Sequence, residues 1–481
     1  MASVPKKAAF TRDDEKELSS IVIGGGVAKH QAQQPAEDDW FKDIMSSSTK
    51  TSPKHRIQKV PELLRDVESN KKCYDPLVVS IGPFHHSNQR LQPFQEIKKQ
   101  FTNMYVNSCQ VSIVELYNRV EAVAEEARTC YMGGSVQQMD HTQFVKMMFL
   151  DGCFVLQFIL LVSEARIEGI MKSHHIEFVK RDLFLLENQL PYIVLQELKK
   201  PLKNHVDCGL NKIKEFIINK SLWATSPSYT LWERIENFIT KNITNRGIQQ
   251  SSQRQHEGEP THHEGEPAHL LELMWREVVD PGALNSEEGC SWYSYRSVTE
   301  LKASGICFRP NKERTGRLFT SVSFEPLFVR AVLRMPPMTI DDSTKAFFLN
   351  LVAYERCPDS PVVPAVTSYL CFIDTLIDGP GDVQELRKRG IILNGLGSDD
   401  HVADMFNKIA EDLKPNLKVY EGVTKDIESH YQDVVKLWIT EWLHIHFRSP
   451  WTIAAFFAAL LVFGLTITQT YLDFYPPGGS E

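Results

Sequence analysis

The longest apolar run in the chain lies near its C-terminus, where SPWTIAAFFAALLVFGLTITQTYL covers residues 449–472 without a charged side chain. These 24 positions would form a helix about 36 Å long, at about 1.5 Å per residue. The hydrocarbon core of a membrane is about 30 Å thick, and core helices of soluble proteins rarely run this far without a charge. The run therefore predicts a single transmembrane helix over 449–472 rather than a buried core helix.

Residues at the two ends of this run predict its orientation. Trp451 and Tyr471 lie where aromatic side chains favour the membrane interface, and Arg448 precedes the run. We predict these three residues as membrane-interface anchors. The tail 473–481 carries no positive charge, so the positive-inside rule places the body of the protein in the cytoplasm.

Helical periodicity dominates the part of the chain before residue 245. Residues 145–162 are mostly apolar and predict a helix. Residues 182–198 repeat leucines on one face, and Pro191 is expected to end or kink that helix just before it. A further apolar stripe runs through 427–442 and is typical of core packing or of a helix on a membrane surface.

The C-terminal half mixes strand and helix patterns. They predict short strands at 304–310, 318–324 and 328–340, and helices at 343–357 and 378–392. Gly390 is expected to stop the last helix, and Ser343 is a candidate cap of the one before it. Asp341 and Asp342 suit a helix cap better than a cation site. The predicted fold is mainly α with a small antiparallel β element, followed by the C-terminal single transmembrane helix.

Composition divides the chain into six parts. They are a disordered N-terminal arm (1–52), an N-terminal helical part (53–244), a low-complexity insertion (245–268), a C-terminal α+β part (269–448), the transmembrane helix (449–472) and a short tail (473–481). The tandem heptapeptides HEGEPTH and HEGEPAH supply four nearby histidines, His256, His262, His263 and His269. Because a flexible tract must be ordered before it can hold a metal, we favour a solvated insertion over a metal-binding tract.

Overall composition excludes several classes of protein. The 481 residues are 42% hydrophobic and 24% charged, with a net charge of −8 and no basic block, which argues against nucleic-acid binding. The nine cysteines are scattered without a C-x-x-C pair, as is typical of reduced cytosolic thiols. The first residues lack an apolar signal stretch, and Ala2 stands where N-myristoylation needs glycine.

Candidate chemistry is sparse. The motif LVVSIGPFHH (77–86) places His85 and His86 after a Gly82-Pro83 turn, which fits a metal site, a catalytic pair or a structural turn. No G-x-S-x-G, H-E-x-x-H, paired C-x-x-C or kinase motif occurs. We therefore assign no catalytic, cofactor-binding or metal-binding residue, expect no cofactor, and favour a structural role for the histidines.

Polar residues also interrupt two apolar stretches. Asp151 lies in one of them, and Glu187, Asn188 and Gln189 lie in the other, shortly before Pro191. One interpretation is a small-molecule or peptide pocket. The other is that these side chains bond to backbone groups freed where the proline breaks the helix, and we favour it.

Seven motifs follow one another along the chain: VPELLRDVESNKKCYDPLVVSIGPFHH (60–86), DGCFVLQFIL (151–160), RDLFLLENQLPYIVLQEL (181–198), HLLELMW (269–275), TELKASGICF (299–308), MPPMTIDDSTKAFFLNLVAYERC (335–357) and SYLCFIDTLIDGPGDVQELRKRGIILNGLGSDD (368–400). In this order they resemble the plant family catalogued as domain of unknown function 247. The resemblance extends over about residues 53–472. Ser87 stands where the family typically has glycine, Gln157 stands where glutamate is common, and the heptapeptide insertion is not part of the pattern.

The resemblance implies a land-plant protein that is associated with a membrane, and it implies no established activity. Some grass members of the family are associated with the self-incompatibility loci and are proposed as pollen-side determinants. A chain of that kind would be a recognition protein.

Two functional hypotheses follow. The first is a membrane-anchored recognition or signalling protein, whose partners are the membrane, through the single C-terminal span, and an unknown protein. The second is a membrane-associated hydrolase or transferase with a scattered active site. It predicts a cleft that gathers His85 or His86 with Asp151 or Glu187, and a carboxyl group with a strongly shifted pKa. We favour the first.

Overall fold

The structure is a computed structural model that describes residues 56–164, 166–201, 267–279, 296–311, 318–327, 330–358, 360, 362–433 and 450–474. The chain divides into two units, Met1–Thr51 and Ser52–Glu481, and every described residue belongs to the second. The predictions for the arm 1–52, for the heptapeptide repeats up to residue 266 and for the tail beyond residue 474 lie outside the described residues.

The described part before residue 202 is helical. Its helices are α1 (Glu62–Arg65), α2 (Lys71–Tyr74), α3 (Phe94–Cys109), α4 (Ile113–Ala122), α5 (Ala124–Thr129), α6 (Gly134–Gln137), α7 (His141–Ser163), α8 (Ser173–Asp182) and α9 (Tyr192–Lys199), with a 3₁₀ turn at Gln89–Leu91.

Helix α7 is the centre of this part and confirms the helix predicted over 145–162. It begins after Asp140, whose side chain accepts a hydrogen bond from Gln143 N. Of the helical stretches whose side chains are described, it is the one long and apolar enough to cross a membrane, but 78% of its apolar window is buried inside the fold. Near the C-terminus, Phe457–Thr470 is a shorter apolar helix. Helices α3 and α9 pack against it, and Gly152 leaves room for Leu198 on α9. Helix α7 is therefore the core helix of this part.

The helix predicted over 182–198 forms only after Pro191, where a break was expected, and the prediction is wrong for residues 183–190. Helix α8 ends at Asp182, α9 begins at Tyr192, and the residues between them are irregular. Side chains replace helical bonds here, because Asn188 Nδ2 donates to Asp182 O at 2.9 Å and Gln189 Nε2 donates to Leu183 O at 2.8 Å. The leucines that produced the periodic pattern are buried in this irregular segment.

The C-terminal part combines helices with two small sheets. Its helices are α10 (Leu270–Val278), α11 (Val298–Ala303), α12 (Thr344–Glu355), α13 (Ala365–Leu376), α14 (Pro380–Lys388), α15 (Asp399–Ala410), α16 (Glu421–Gln432) and α17 (Pro450–Phe474). Its strands are β1 (Ile306–Pro310), β2 (Ser323–Pro326), β3 (Ala331–Met335), β4 (Met338–Ile340) and β5 (Ile392–Asn394), and 3₁₀ turns lie at Leu318–Thr320 and Leu417–Tyr420.

The chain is mainly helical with a few strands, as expected, but the β element is not simply antiparallel. In the three-stranded sheet, central strand β3 pairs parallel with β1 and antiparallel with β2, and β4 pairs parallel with β5. The strand predicted over 328–340 is two strands, because Pro336 and Pro337 lie between β3 and β4 and lack the N–H that a ladder needs.

The two predicted helices of this part form as α12 and α14. Asp341, rather than Ser343, supplies the cap of α12, since Asp341 Oδ1 accepts hydrogen bonds from Ser343 N at 2.9 Å and from Thr344 Oγ1 at 3.0 Å. Gly390 has a φ of 73° and follows the end of α14, as predicted.

A helix of 25 residues, α17, forms where the apolar run predicts one. The side chains described between Phe457 and Thr470 are exposed. Arg448 and the side chains of Trp451 and Tyr471 lie outside the described residues, so their role as interface anchors stays a prediction. The stripe predicted over 427–442 begins in α16 and lies outside the described residues from 434 onward.

Candidate functional site

The motif that carries the histidine pair contains an irregular segment, Leu77–Gly82, that belongs to no sheet. Val79, Ser80 and Ile81 are all buried, whereas Leu77 is 50% exposed. Buried backbone N–H and C=O groups need partners, and a strand would find them in its neighbour. Here the partners are side chains from α3, α7, α8 and the irregular segment after α8.

Asp182, the last residue of α8, holds the first half of the segment. Its Oδ2 accepts hydrogen bonds from the N–H groups of Leu77, Val78 and Val79 at 2.9, 2.8 and 3.1 Å. Arg181 Nη1 lies 2.9 Å from its Oδ1. Burial raises the pKa of Asp182, and these hydrogen bonds and the Arg181 charge oppose that effect.

Asn188 holds the second half of the segment from both sides. Its Oδ1 accepts from Ile81 N at 2.6 Å, and its Nδ2 donates to Val79 O at 3.0 Å. The side chain is 1% exposed, so water cannot replace these bonds. An amide suits the position because one end accepts and the other donates.

A buried ion pair completes the set. Asp151 on α7 accepts a hydrogen bond from Gly82 N at 2.9 Å, and Lys98 on α3 pairs with its other oxygen. Lys98 Nζ also donates to Ser80 O at 2.5 Å. Both charged side chains are almost fully buried. Asp151, Asp182 and Asn188, which accept from the N–H groups of Leu77–Gly82, are called the backbone clamp below.

The Gly82-Pro83 turn requires glycine for two reasons. Gly82 has a φ of +72°, which is the left-handed region, and a Cβ atom there would lie 2.6 Å from Gln189 O. The Tyr131 hydroxyl donates to the same carbonyl at 2.9 Å, so the oxygen is fixed in place.

His85 and Glu187 are the one pair of predicted site residues that the structure brings into contact. Glu187 Oε2 lies 3.5 Å from His85 Nε2 and 2.9 Å from Arg65 Nη2, and Oε1 accepts from Val60 N at 2.8 Å. Burial alone would raise the pKa of Glu187, but the nearby His85 ring, the hydrogen bond from Val60 N and the Arg65 charge lower it. Glu187 is therefore held as a carboxylate that fastens the chain near residue 60.

Gln189 joins the two predicted parts of the body. Its Oε1 accepts a hydrogen bond at 3.1 Å from the backbone N–H of Leu271, the second residue of α10. Asn350 on α12 makes a second connection, since its Oδ1 accepts from Leu186 N at 2.8 Å and its Nδ2 donates to Cys73 O at 3.0 Å. The described residues before 202 and after 266 share one continuous core.

Glu355 is another buried carboxylate that bonds to groups distant in sequence, and it was not predicted from the sequence. This buried carboxylate at the end of α12 accepts from Trp275 Nε1 at 2.8 Å, Val366 N at 2.8 Å and Thr367 N at 2.9 Å. It therefore ties α10 and the start of α13 to α12. The available signal was a glutamate at the end of an apolar helix pattern, which does not reveal partners far along the chain.

The enzyme hypothesis required these polar residues to meet in a cleft. The structure brings one of the predicted pairs together, His85 with Glu187, but Glu187 also bonds to Arg65 and Val60 N. Asp151 is paired with Lys98 and Gly82 instead. The structural interpretation of the buried polar residues is confirmed by these bonds. Among the described residues, no group of three or more His, Cys, Asp or Glu side chains could hold a metal ion, and His262 and His263 lie outside them.

A cleft of about 360 Å³ lies elsewhere, between α13 and the segment 410–424. Phe372 and Tyr420 both line it, with their rings stacked at 4.9 Å and 21°. Asp374 lines it too, and burial raises the pKa of this carboxyl group to about 6. Apart from one carboxylate in an apolar helix, no local sequence pattern predicts this cleft.

Comparison with known proteins identifies the relatives of this chain. A family model described as plant protein of unknown function, DUF247, matches residues 57–465. The Arabidopsis thaliana protein named UPF0481 protein At3g47200 is 29% identical over 426 residues, which cover 86% of this chain and 85% of the relative. The Putative UPF0481 protein At3g02645 from the same plant is 22% identical over 511 residues, covering 90% and 94%. No solved structure matches the chain significantly.

Proposed function

The chain belongs to the plant family of unknown function DUF247, and we propose that it is a membrane-anchored interaction protein. Helix α17 would insert in a membrane, and the folded body would recognise another protein. The buried polar residues would hold the body in shape and perform no chemistry. The resemblance implies a role as pollen-side determinant for some grass members of the family. That this chain has such a role stays a prediction.

The observation that carries the proposal is the exposed apolar surface of α17. Seven large side chains on it are at least half exposed, namely Phe457, Leu460, Leu461, Val462, Phe463, Leu465 and Ile467. Covering a side chain of this size is worth about 1.5–3 kcal/mol, so lipid would stabilise the helix by on the order of 10 kcal/mol. A contiguous apolar surface of this kind marks an interaction with a membrane or a protein.

The polar residues of α17 are compatible with lipid. Thr466, Thr468 and Thr470 each donate their hydroxyl to the carbonyl four residues earlier, at 2.8 Å. In a bilayer every polar group must find its partner within the protein, and these hydroxyls have done so. The helix length of 25 residues also suits a span.

The cytoplasmic location of the body rests on charge and on thiols. Arg448 precedes α17, and the positive-inside rule would keep it on the cytoplasmic side. Cys73, Cys153, Cys307 and Cys371 carry free thiols, which suits a reducing compartment.

The anchor is tested by alkaline carbonate extraction of membranes from plant cells that express the full chain. We expect the protein to stay in the membrane pellet. The double variant Leu461→Arg/Phe463→Arg should move to the soluble fraction, since each arginine at the centre of a span costs about 2.5–3.5 kcal/mol.

The matched control is Leu63→Arg/Ile113→Arg, which makes the same chemical change at apolar residues that are 89% and 52% exposed on the body. This variant should stay in the pellet. Release of the unmodified protein by carbonate, or retention of the Leu461/Phe463 variant, would refute the anchor.

The interaction role is tested by proximity labelling with the full chain in its native tissue. A chain that ends before residue 450 is the control for labelling that depends on the membrane. We expect a small set of proteins labelled reproducibly by the anchored chain. Labelling no different from that of an unrelated protein fused to the same helix would refute a specific partner.

A further inference from the structure

The cleft beside α13 has no role in the proposed membrane anchoring. Its walls come from the C-terminal half of α13, the end of α15, the segment that follows and the start of α16, so one compact region of the fold builds it. Its volume of about 360 Å³ lies in the range of small-molecule sites, which runs from about 300 to 1,000 Å³.

One side of the cleft is apolar and aromatic. Phe372 stacks on Tyr420, and Leu413, Pro415 and Leu417 contribute further apolar surface. Leu417 is 42% exposed, so part of this surface remains open to solvent. The two rings themselves are only 6% and 7% exposed, so a flat apolar group would pack on the open surface of Pro415 and Leu417.

The charge in the cleft is negative. Asp374 and Glu411 line it, and the residues that line it include no lysine, arginine or histidine. In the amide orientation that satisfies both of its ends, Asn407 donates to Asp374 Oδ1 at 3.2 Å. No cation among the described residues forms an ion pair with Asp374. One neutral donor leaves most of the acceptor capacity of this carboxylate unused.

We propose that this cleft binds a small organic cation, in which an ammonium group is joined to an aromatic ring. The ammonium group would bond to Asp374 while the ring packs on the open apolar surface of Pro415 and Leu417. An anionic ligand would meet two carboxylates, and a neutral apolar ligand would leave Asp374 half buried without a charged partner.

The ionisation of Asp374 fits this assignment. Burial raises its pKa to about 6, and a bound ammonium group would supply the opposite charge that the folded protein does not. At pH 7.5 the group is mostly ionised, so the cleft presents a charge that a cation can pair with before any ligand is present.

The test uses 2-phenylethylamine and its uncharged counterpart 2-phenylethanol as probes. Binding to the full chain in a mild non-ionic detergent is measured at pH 7.5 by saturation-transfer NMR and calorimetry. We expect the amine to bind about tenfold more tightly than the alcohol, because a hydrogen bond between an ammonium group and a carboxylate is stronger than one from a neutral hydroxyl.

Asp374→Asn should abolish the preference for the amine, because it removes the charge and keeps the shape. The control Asp378→Asn makes the same change four residues later at an exposed position that does not line the cleft, and the preference should remain. Ala410→Phe should weaken both probes, since it fills the cleft from α15. Circular dichroism checks that each variant folds.

Three outcomes would overturn the proposal. The first is equal binding of the amine and the alcohol to the unmodified protein, and the second is binding of neither. The third is an amine preference that persists in a folded Asp374→Asn variant. The first two need no variant, so a folding failure of Asp374→Asn would not protect the proposal.

Discussion

The side chain of Asn188 is the most sensitive single point of the backbone clamp. Replacing it with leucine, which has a similar shape, removes its bonds to Ile81 N, Val79 O and Asp182 O. Each buried group left without a partner costs about 1–3 kcal/mol, or roughly 3–9 kcal/mol for three. The buried leucine returns about 1.5–3 kcal/mol. Taking the middle of each range, a loss of about 6 kcal/mol and a return of about 2 kcal/mol, we expect Asn188→Leu to lower the free energy of unfolding by about 4 kcal/mol.

Urea unfolding of the full chain in detergent, followed by tryptophan fluorescence, measures this change. The matched control is Asn103→Leu on α3, where the side chain is exposed and bonds to Asn107 at 2.7 Å. That change should stay within about 0.5 kcal/mol of the unmodified protein. If Asn188→Leu is no more destabilising than Asn103→Leu, the clamp does not hold the segment.

Three further predictions concern charge and backbone at the same site. Lys98→Met leaves the buried carboxylate of Asp151 without its cation and should lower the free energy of unfolding by about 3–5 kcal/mol. The double variant Lys98→Met/Asp151→Asn should lose less stability than the two single variants together, and a double-mutant cycle of urea unfolding measures this coupling. The pKa of Glu187 is lower in the folded protein than its ordinary value of 4.5, so its contribution is complete above that pH and is lost as pH falls through the folded value. Unfolding midpoints between pH 6 and 3 should therefore fall more steeply for the unmodified protein than for Glu187→Gln, and parallel curves would contradict this. Gly82→Ala should cost more than the roughly 1–2 kcal/mol of left-handed backbone strain, because a carbonyl oxygen would lie 2.6 Å from the new Cβ atom. The control Gly397→Ala has a φ of +82° and nothing within 4 Å of the new Cβ atom, so it should cost only the strain. Equal losses of stability in thermal unfolding would contradict the predicted clash.

Local patterns predicted those elements whose formation depends on neighbours in sequence. The apolar run around Gly152 became α7, the stretch after Asp341 became α12, and the terminal run became α17. In each case the pattern is long and its ends carry ordinary helix signals. The structural role of Asp151 and Asn188 was also predicted, because buried polar groups usually bond to backbone.

The partners of those residues could not be predicted. Asp182 and the segment it holds are more than 100 residues apart, as are Asn188 and Ile81, and no local pattern connects them. The leucines around Asn188 repeat as in a helix, yet side-chain bonds hold them in an irregular segment. The parallel pairing of β1 with β3 and the cleft beside Asp374 also depend on tertiary contacts.

Amide hydrogen exchange of Leu77–Gly82 tests most directly whether the buried polar residues of this motif are structural. In the full chain we expect the amides of Val79, Ile81 and Gly82 to exchange at least about 100 times more slowly than those of an unstructured peptide, although no strand covers them. Asn188→Leu should remove the protection of Ile81. If these amides of the unmodified protein exchange at the rate of an unstructured peptide, the clamp is contradicted. Asp151 and Asp182 would then again be candidates for a catalytic or binding role.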